Sequence, residues 1–120
     1  MDDVCPWERV AARITELREE LDGRDRNQTE PERRLLRTLA IGQDSQQAAE
    51  AARAAAGASS RRGRDTHSWS DVRTELCRVI TTALIALDTI SGDPIGLLDT
   101  HLRHPADPAQ PHRPEPTPEP

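Results

Sequence analysis

The chain has no phenylalanine, no tyrosine and no lysine. Trp7 and Trp69 are its only aromatic residues, so a core must be built from Leu, Ile, Val and Ala, which suits helices better than sheets. Every one of the 16 basic residues is arginine, a bias of the kind a GC-rich genome produces. Cysteine is scarce. Cys5 and Cys77 lie far apart in the sequence and are expected to be free thiols in a reducing cytosol. Cys77 borders an apolar stripe and is predicted to be a buried, inert thiol. No apolar run approaches the ~20 residues of a membrane span. The opening Met-Asp-Asp lacks the basic region and apolar core of a signal peptide. A soluble, cytoplasmic protein with no membrane partner is therefore expected. A net charge of −5 leaves no broad basic surface for phosphates, so no nucleic-acid partner is expected. His67, His101, His104 and His112 share no ligand spacing with one another or with Cys77, which argues against a zinc site. No serine carries a nucleophile motif.

What is present reads as helices. Val4, Trp7, Val10, Ile14, Leu17 and Leu21 recur at three- and four-residue steps, which predicts a first helix over 4–22 with Pro6 in its first turn and Gly23 as its stop. Thr29 and Glu32 form a capping box at the start of a long second helix that runs to about Ala56 and ends at Gly57. Its second half is nearly all alanine, which would let another helix approach closely. Residues 57–67 read as a loop in which Arg61, Arg62 and Arg64 make the one locally basic patch. Ser68 and Asp71 form a second capping box before a third helix over 69–90. Val72, Leu76, Val79, Ala83, Leu87 and Ile90 are its main stripe. Glu75 lies at the stripe's edge, and Arg78 points nearly away from it, on the side of Thr82 and Ile85. Ser91 and Gly92 end that helix, and Asp93-Pro94 starts a short fourth one carrying Ile95, Leu98 and Leu102. Residues 105–120 are rich in proline without an apolar pattern and are expected to be disordered.

One feature interrupts this regularity. The stripe of the second helix, Leu36 and Ala40, should continue at positions 43, 47 and 51. Gln43 and Gln47 occupy two of these, with Asp44 beside them, before Ala51 resumes it. Polar groups on a face expected to be buried predict a site, which Glu75 and Arg78 of the third helix would share. Solvent-facing glutamines in a marginal helix are the plainer alternative.

The segments GASSRRG (57–63) and HSWSDVRTELCRVITTALIAL (67–87) resemble the MazG-like family of all-α nucleoside triphosphate pyrophosphohydrolases, and the resemblance extends over roughly Trp7–Arg103. It implies a MazG-like helical domain over residues 1–104, with four-helix cores formed between two protomers. The family's signature is Glu-Glu-x-x-Glu on one long helix and Glu-x-x-Asp on the next, carboxylates that together hold Mg²⁺ against a triphosphate. In this chain the first motif falls on Gln43, Asp44 and Gln47, and the second on Glu75 and Arg78. Mg²⁺ requires hard anionic oxygens in a near-octahedral array. Amide oxygens carry no charge, and the permanent cation of Arg78 repels a metal. The resemblance with this degenerate motif implies a non-catalytic homologue, a nucleotide-binding or protein-interaction module with no cofactor. The alternative is a weak enzyme that binds Mg²⁺ through Asp44 and Glu75 and converts an NTP to NMP and pyrophosphate. Arg61, Arg62 and Arg64 would then meet the triphosphate.

The expectation is thus an all-α bundle of three main helices and a short fourth, with a disordered Pro-rich tail at 105–120. Helices two and three should pair as an antiparallel hairpin. A homodimer burying Ile85 is expected. Arg78 should bridge Glu75 and Asp44, standing in for the missing ion.

Overall fold

The computed structural model describes residues 5–58 and 68–104. They form four α-helices and no strand: α1 (Pro6–Arg24), α2 (Glu30–Ala58), α3 (Trp69–Ser91) and α4 (Pro94–Arg103). The fold is all-α. No described helix is long and apolar enough to cross a membrane. The basic loop residues Arg61, Arg62 and Arg64 and the proline-rich stretch 105–120 lie outside the described residues.

The helix starts follow from local chemistry. Glu32 N–H donates to Thr29 Oγ1 at 3.3 Å while Thr29 N–H donates to Glu32 Oε1 at 2.8 Å, so two otherwise orphaned donors are satisfied at the head of α2. Ser68 and Asp71 repeat the device on α3, at 3.0 and 3.2 Å. Asp93 caps α4 by accepting from Gly96 N–H, with Pro94 in the first turn. Gly92 closes α3 with φ of 81°, a left-handed conformation that glycine adopts without steric cost. Gly23 does not stop α1. The helix continues through it to Arg24, and Asp25 N–H donates to the Leu21 carbonyl at 2.8 Å. The two extra residues are held from outside, because Arg37 of α2 grips both Asp22 and Asp25.

α3 lies at the centre and packs against each of the other three helices. Against α2 it runs antiparallel: Ala51 and Ala55 meet Val72, Asp44 meets Thr82, and Arg37 meets Thr89. The α2 side of this seam is Arg37, Ile41, Asp44, Ala48, Ala51 and Ala55, at alternating four- and three-residue steps. The sequence pattern placed the seam about one residue out of phase, on Leu36, Gln43 and Gln47. Those three side chains are exposed. Arg37 occupies the buried place instead of Leu36 because acidic and hydroxyl partners meet it there. Ala48, Ala51 and Ala55 follow because their small size permits close approach.

The apolar interior is thin. Among the described residues its buried members are Ile14, Ala48, Ala51, Ala55, Val72, Leu84 and Ala86, and no large side chain is fully enclosed. The predicted α3 stripe straddles the edge of the seam: Val72 is buried, whereas Leu76 and Ile90 are about half exposed. Cys77, expected to be buried, is exposed, as is Cys5. It shares the α1-facing side of α3 with Asp88 but lies eleven residues, about three turns, before the Arg18 contact.

Candidate functional site

Two polar clusters lie between the helices. The first joins α1, α2 and α3. Among the described residues Asp88 is the most deeply buried ionisable one, 3 % exposed, and Arg37 is 7 % exposed. Arg18 Nε donates to Asp88 Oδ2 at 2.8 Å and its Nη1 donates to Asp22 Oδ2 at 2.7 Å. Thr15 Oγ1 adds a longer contact to Asp88 Oδ1 at 3.5 Å. Arg37 Nη1 donates to Asp22 Oδ1 at 2.7 Å and to Thr89 Oγ1 at 3.1 Å, and its Nη2 donates to Asp25 Oδ2 at 3.1 Å. The two guanidiniums thus share Asp22, and one chain of charge-assisted bonds ties three helices. Only Arg37 Nε among these donors is buried without a hydrogen-bond partner.

The electrostatics follow from that chain. Burial alone would raise the Asp22 carboxyl, but hydrogen bonds from Arg37 and Arg18 outweigh it and hold the group below its ordinary value. The bonds to Asp88 and then Asp22 push the Arg18 guanidinium above its ordinary value, against the effect of burial. A cleft of about 290 Å³ opens beside the cluster, lined by Arg18, Asp22, Arg33, Asp88 and Gly92 among others. The cluster is therefore already charge-paired within itself, which is the chemistry of a clasp.

The second cluster holds the motif positions. Asp44 Oδ2 accepts from Thr82 Oγ1 at 2.6 Å. Glu75 Oε1 lies 3.5 Å from Arg78 Nε, an ion pair too long for a hydrogen bond, and that oxygen is buried without any hydrogen-bond partner. Arg78 is largely exposed. Gln43 and Gln47 point outward. The seam sets Asp44 opposite Thr82, which is seven residues from Glu75, or ~10 Å along the axis at 1.5 Å per residue. Half of the expected bridge is present, Arg78 to Glu75. The other half is not, because the antiparallel register carries Asp44 past Glu75 to the level of Thr82.

These positions do not fit Mg²⁺. Among the described residues no group of three or more His, Cys, Asp or Glu could hold a metal ion. Asp44 is committed to a hydroxyl, Glu75 stands beside a fixed cation, and the two amides face away. The residues that do converge, Arg18, Arg37 and Asp88, were missed in the sequence. A signal was available: Asp88 is a lone acid inside the run Ile85–Ile90, and Arg37 is a lone cation between Leu35, Leu36 and Leu39. A charge embedded in an apolar stretch implies a buried counter-charge. No protein-family model, curated protein or solved structure matches the chain.

Proposed function

We propose that this chain is a non-catalytic, MazG-like homologue that works as a binding module in a homodimer and does not hydrolyse nucleoside triphosphates. The observation that supports it is the separate commitment of the two surviving carboxylates, Asp44 to Thr82 and Glu75 to Arg78, about two helical turns apart. A divalent ion bridging a triphosphate needs several anionic oxygens on one point. Here the oxygens diverge, and a guanidinium occupies the position of one of them.

Nucleotide could still bind without being cleaved, with Arg61, Arg62 and Arg64 as the phosphate contacts in this reading. Thermal melting tests the metal part. The melting temperature should be the same with and without Mg²⁺ or Mn²⁺. A variant carrying Gln43→Glu, Asp44→Glu, Gln47→Glu and Arg78→Asp should melt lower without metal, through carboxylate repulsion. A clear metal-dependent rise in the parent protein would contradict the proposal.

A further inference from the structure

The stretch 105–120 shows no pattern at the helix or strand period, but it has one at a period of three. Residues 105–114 read Pro-Ala-Asp, Pro-Ala-Gln, Pro-His-Arg, Pro. A polyproline II helix has three residues per turn. In that conformation Pro105, Pro108, Pro111 and Pro114 fall on one edge, ~28 Å long at 3.1 Å per residue. Ala106 and Ala109 begin a second edge, and Asp107, Gln110 and Arg113 make the third. Two small apolar edges and one polar edge make an amphipathic rod with a side to bury.

An apolar groove lies where this segment starts. Trp7 of α1 stands on one side and Ile95, Leu98 and Leu102 of α4 on the other, around a hollow of about 370 Å³. Trp7 is 60 % exposed and Leu102 65 %. Leu102 is three residues before Pro105. Proline drives the residue before it out of the helical region, and His104 has φ of −128° and ψ of 64°, so the chain leaves the α4 axis next to the groove.

Lengths agree as well as chemistry. Ile95 to Leu102 spans ~10 Å along α4 at 1.5 Å per residue. Pro108 to Pro111 spans ~9 Å in polyproline II. Residues 105–107 cover a further ~9 Å, enough to reverse direction after His104 and lay Pro108 beside Leu102 and Pro111 beside Ile95. Charge does not oppose this. Asp99, which also lines the groove, is already paired with Arg103 at 2.8 Å, and Glu8 and Arg9 next to Trp7 carry one charge of each sign. The proline edge carries none. The hollow among Leu87, Leu97 and His101, by helical spacing on the opposite face of α4, has no aromatic side chain.

We infer that the groove between α1 and α4 binds the chain's own segment 105–111 as a polyproline II helix, with its proline edge against Trp7. Aromatic grooves take proline-rich segments in this way because the extended helix is preformed and loses little entropy on docking. A short tether gives the segment a millimolar effective concentration, so even a millimolar intrinsic affinity keeps the groove about half occupied. This confines the expected disorder of 105–120 to the residues beyond the groove, and it does not rest on the proposed function.

Acrylamide quenching of Trp7 fluorescence tests it in the full chain carrying Trp69→Phe, with circular dichroism as the check of fold. Pro108→Ser together with Pro111→Ser should raise the quenching constant about twofold, the change expected on emptying a groove that is half occupied. Pro116→Ser together with Pro118→Ser, beyond the groove and off the proline edge, should leave it unchanged. A synthetic peptide of residues 105–114, added at several millimolar, should restore protection to the first variant. If Trp69→Phe loses helix, the indole N–H resonance of Trp7 in the unaltered background gives the same reading as a shift. Equal quenching in the parent and the first variant overturns the inference. So does protection that the distal pair removes as fully, or that the peptide fails to restore. Protection that grows with protein concentration also overturns it, since the groove would then hold the segment of a second copy.

Discussion

Near the loop end of the α2–α3 hairpin the contact is Ala51 and Ala55 against Val72. Nearer the start of α2 it is Arg37 against Asp22, Asp25 and Thr89, with Arg18 and Asp88 completing the chain to α1. The alanine seam is non-directional. Small side chains bring two backbones close, but a slip of one turn would again place an alanine against Val72. The ionic junction has direction and address, because each bond requires a particular donor opposite a particular acceptor. The difference separates two tasks that one apolar core usually performs together. Alanines set how near the helices lie, and the Arg37–Thr89 and Asp44–Thr82 contacts set which turn faces which.

The two regions should fail differently. The largest loss is expected at the junction. Arg18→Ala strands the buried Asp88 carboxylate without its cation, which should cost ~3–5 kcal/mol in urea denaturation. Adding Asp88→Leu to that variant should recover much of the loss. In the seam, Ala51→Leu inserts bulk where the side chain is 1 % exposed, and should cost ~1–3 kcal/mol through overpacking.

Acid should separate them further. The Asp22 carboxyl is held below its ordinary value in the fold. Its contribution is therefore complete above the unfolded carboxylate pKa of ~3.9 and is lost as pH falls through the lower folded value. Urea midpoints should be nearly flat through neutral pH and fall below about pH 4, and Asp22→Asn should flatten that fall. The alanine stretch of the seam, Ala48, Ala51 and Ala55, carries no titrating group and should not contribute. The smallest effect belongs to Arg78→Ala. Its ion pair with Glu75 is long and solvent-screened, so the change should be ~0–1 kcal/mol in the same denaturation assay.

Much of the fold was legible because it rests on local rules. Thr29 and Glu32, Ser68 and Asp71, and Asp93-Pro94 mark helix starts through contacts within four residues, and all three are where their spacing predicts. Gly23 misled because the force that extends α1 comes from Arg37, fifteen residues past Asp22 in sequence. The phase of α2 misled for a related reason. Leu35, Leu36 and Leu39 outweigh Arg37 in any hydrophobic pattern, yet Arg37 is the buried one because its charge is met by three partners. The placement of Asp44 beside Thr82 rather than Glu75 depends on interhelical register, which the residues of one helix do not encode. The exposed leucines and isoleucines read as core because their period is correct. Their face is apolar, but the described residues do not cover it.

The central claim is that the motif positions no longer assemble a metal-bound triphosphate site. Pyrophosphate release from a panel of ribo- and deoxyribonucleoside triphosphates, with Mg²⁺ or Mn²⁺, tests it most directly. The expected result is no release above the protein-free rate with any substrate or ion. Protein-dependent release that requires the metal and disappears in Glu75→Gln would contradict the account.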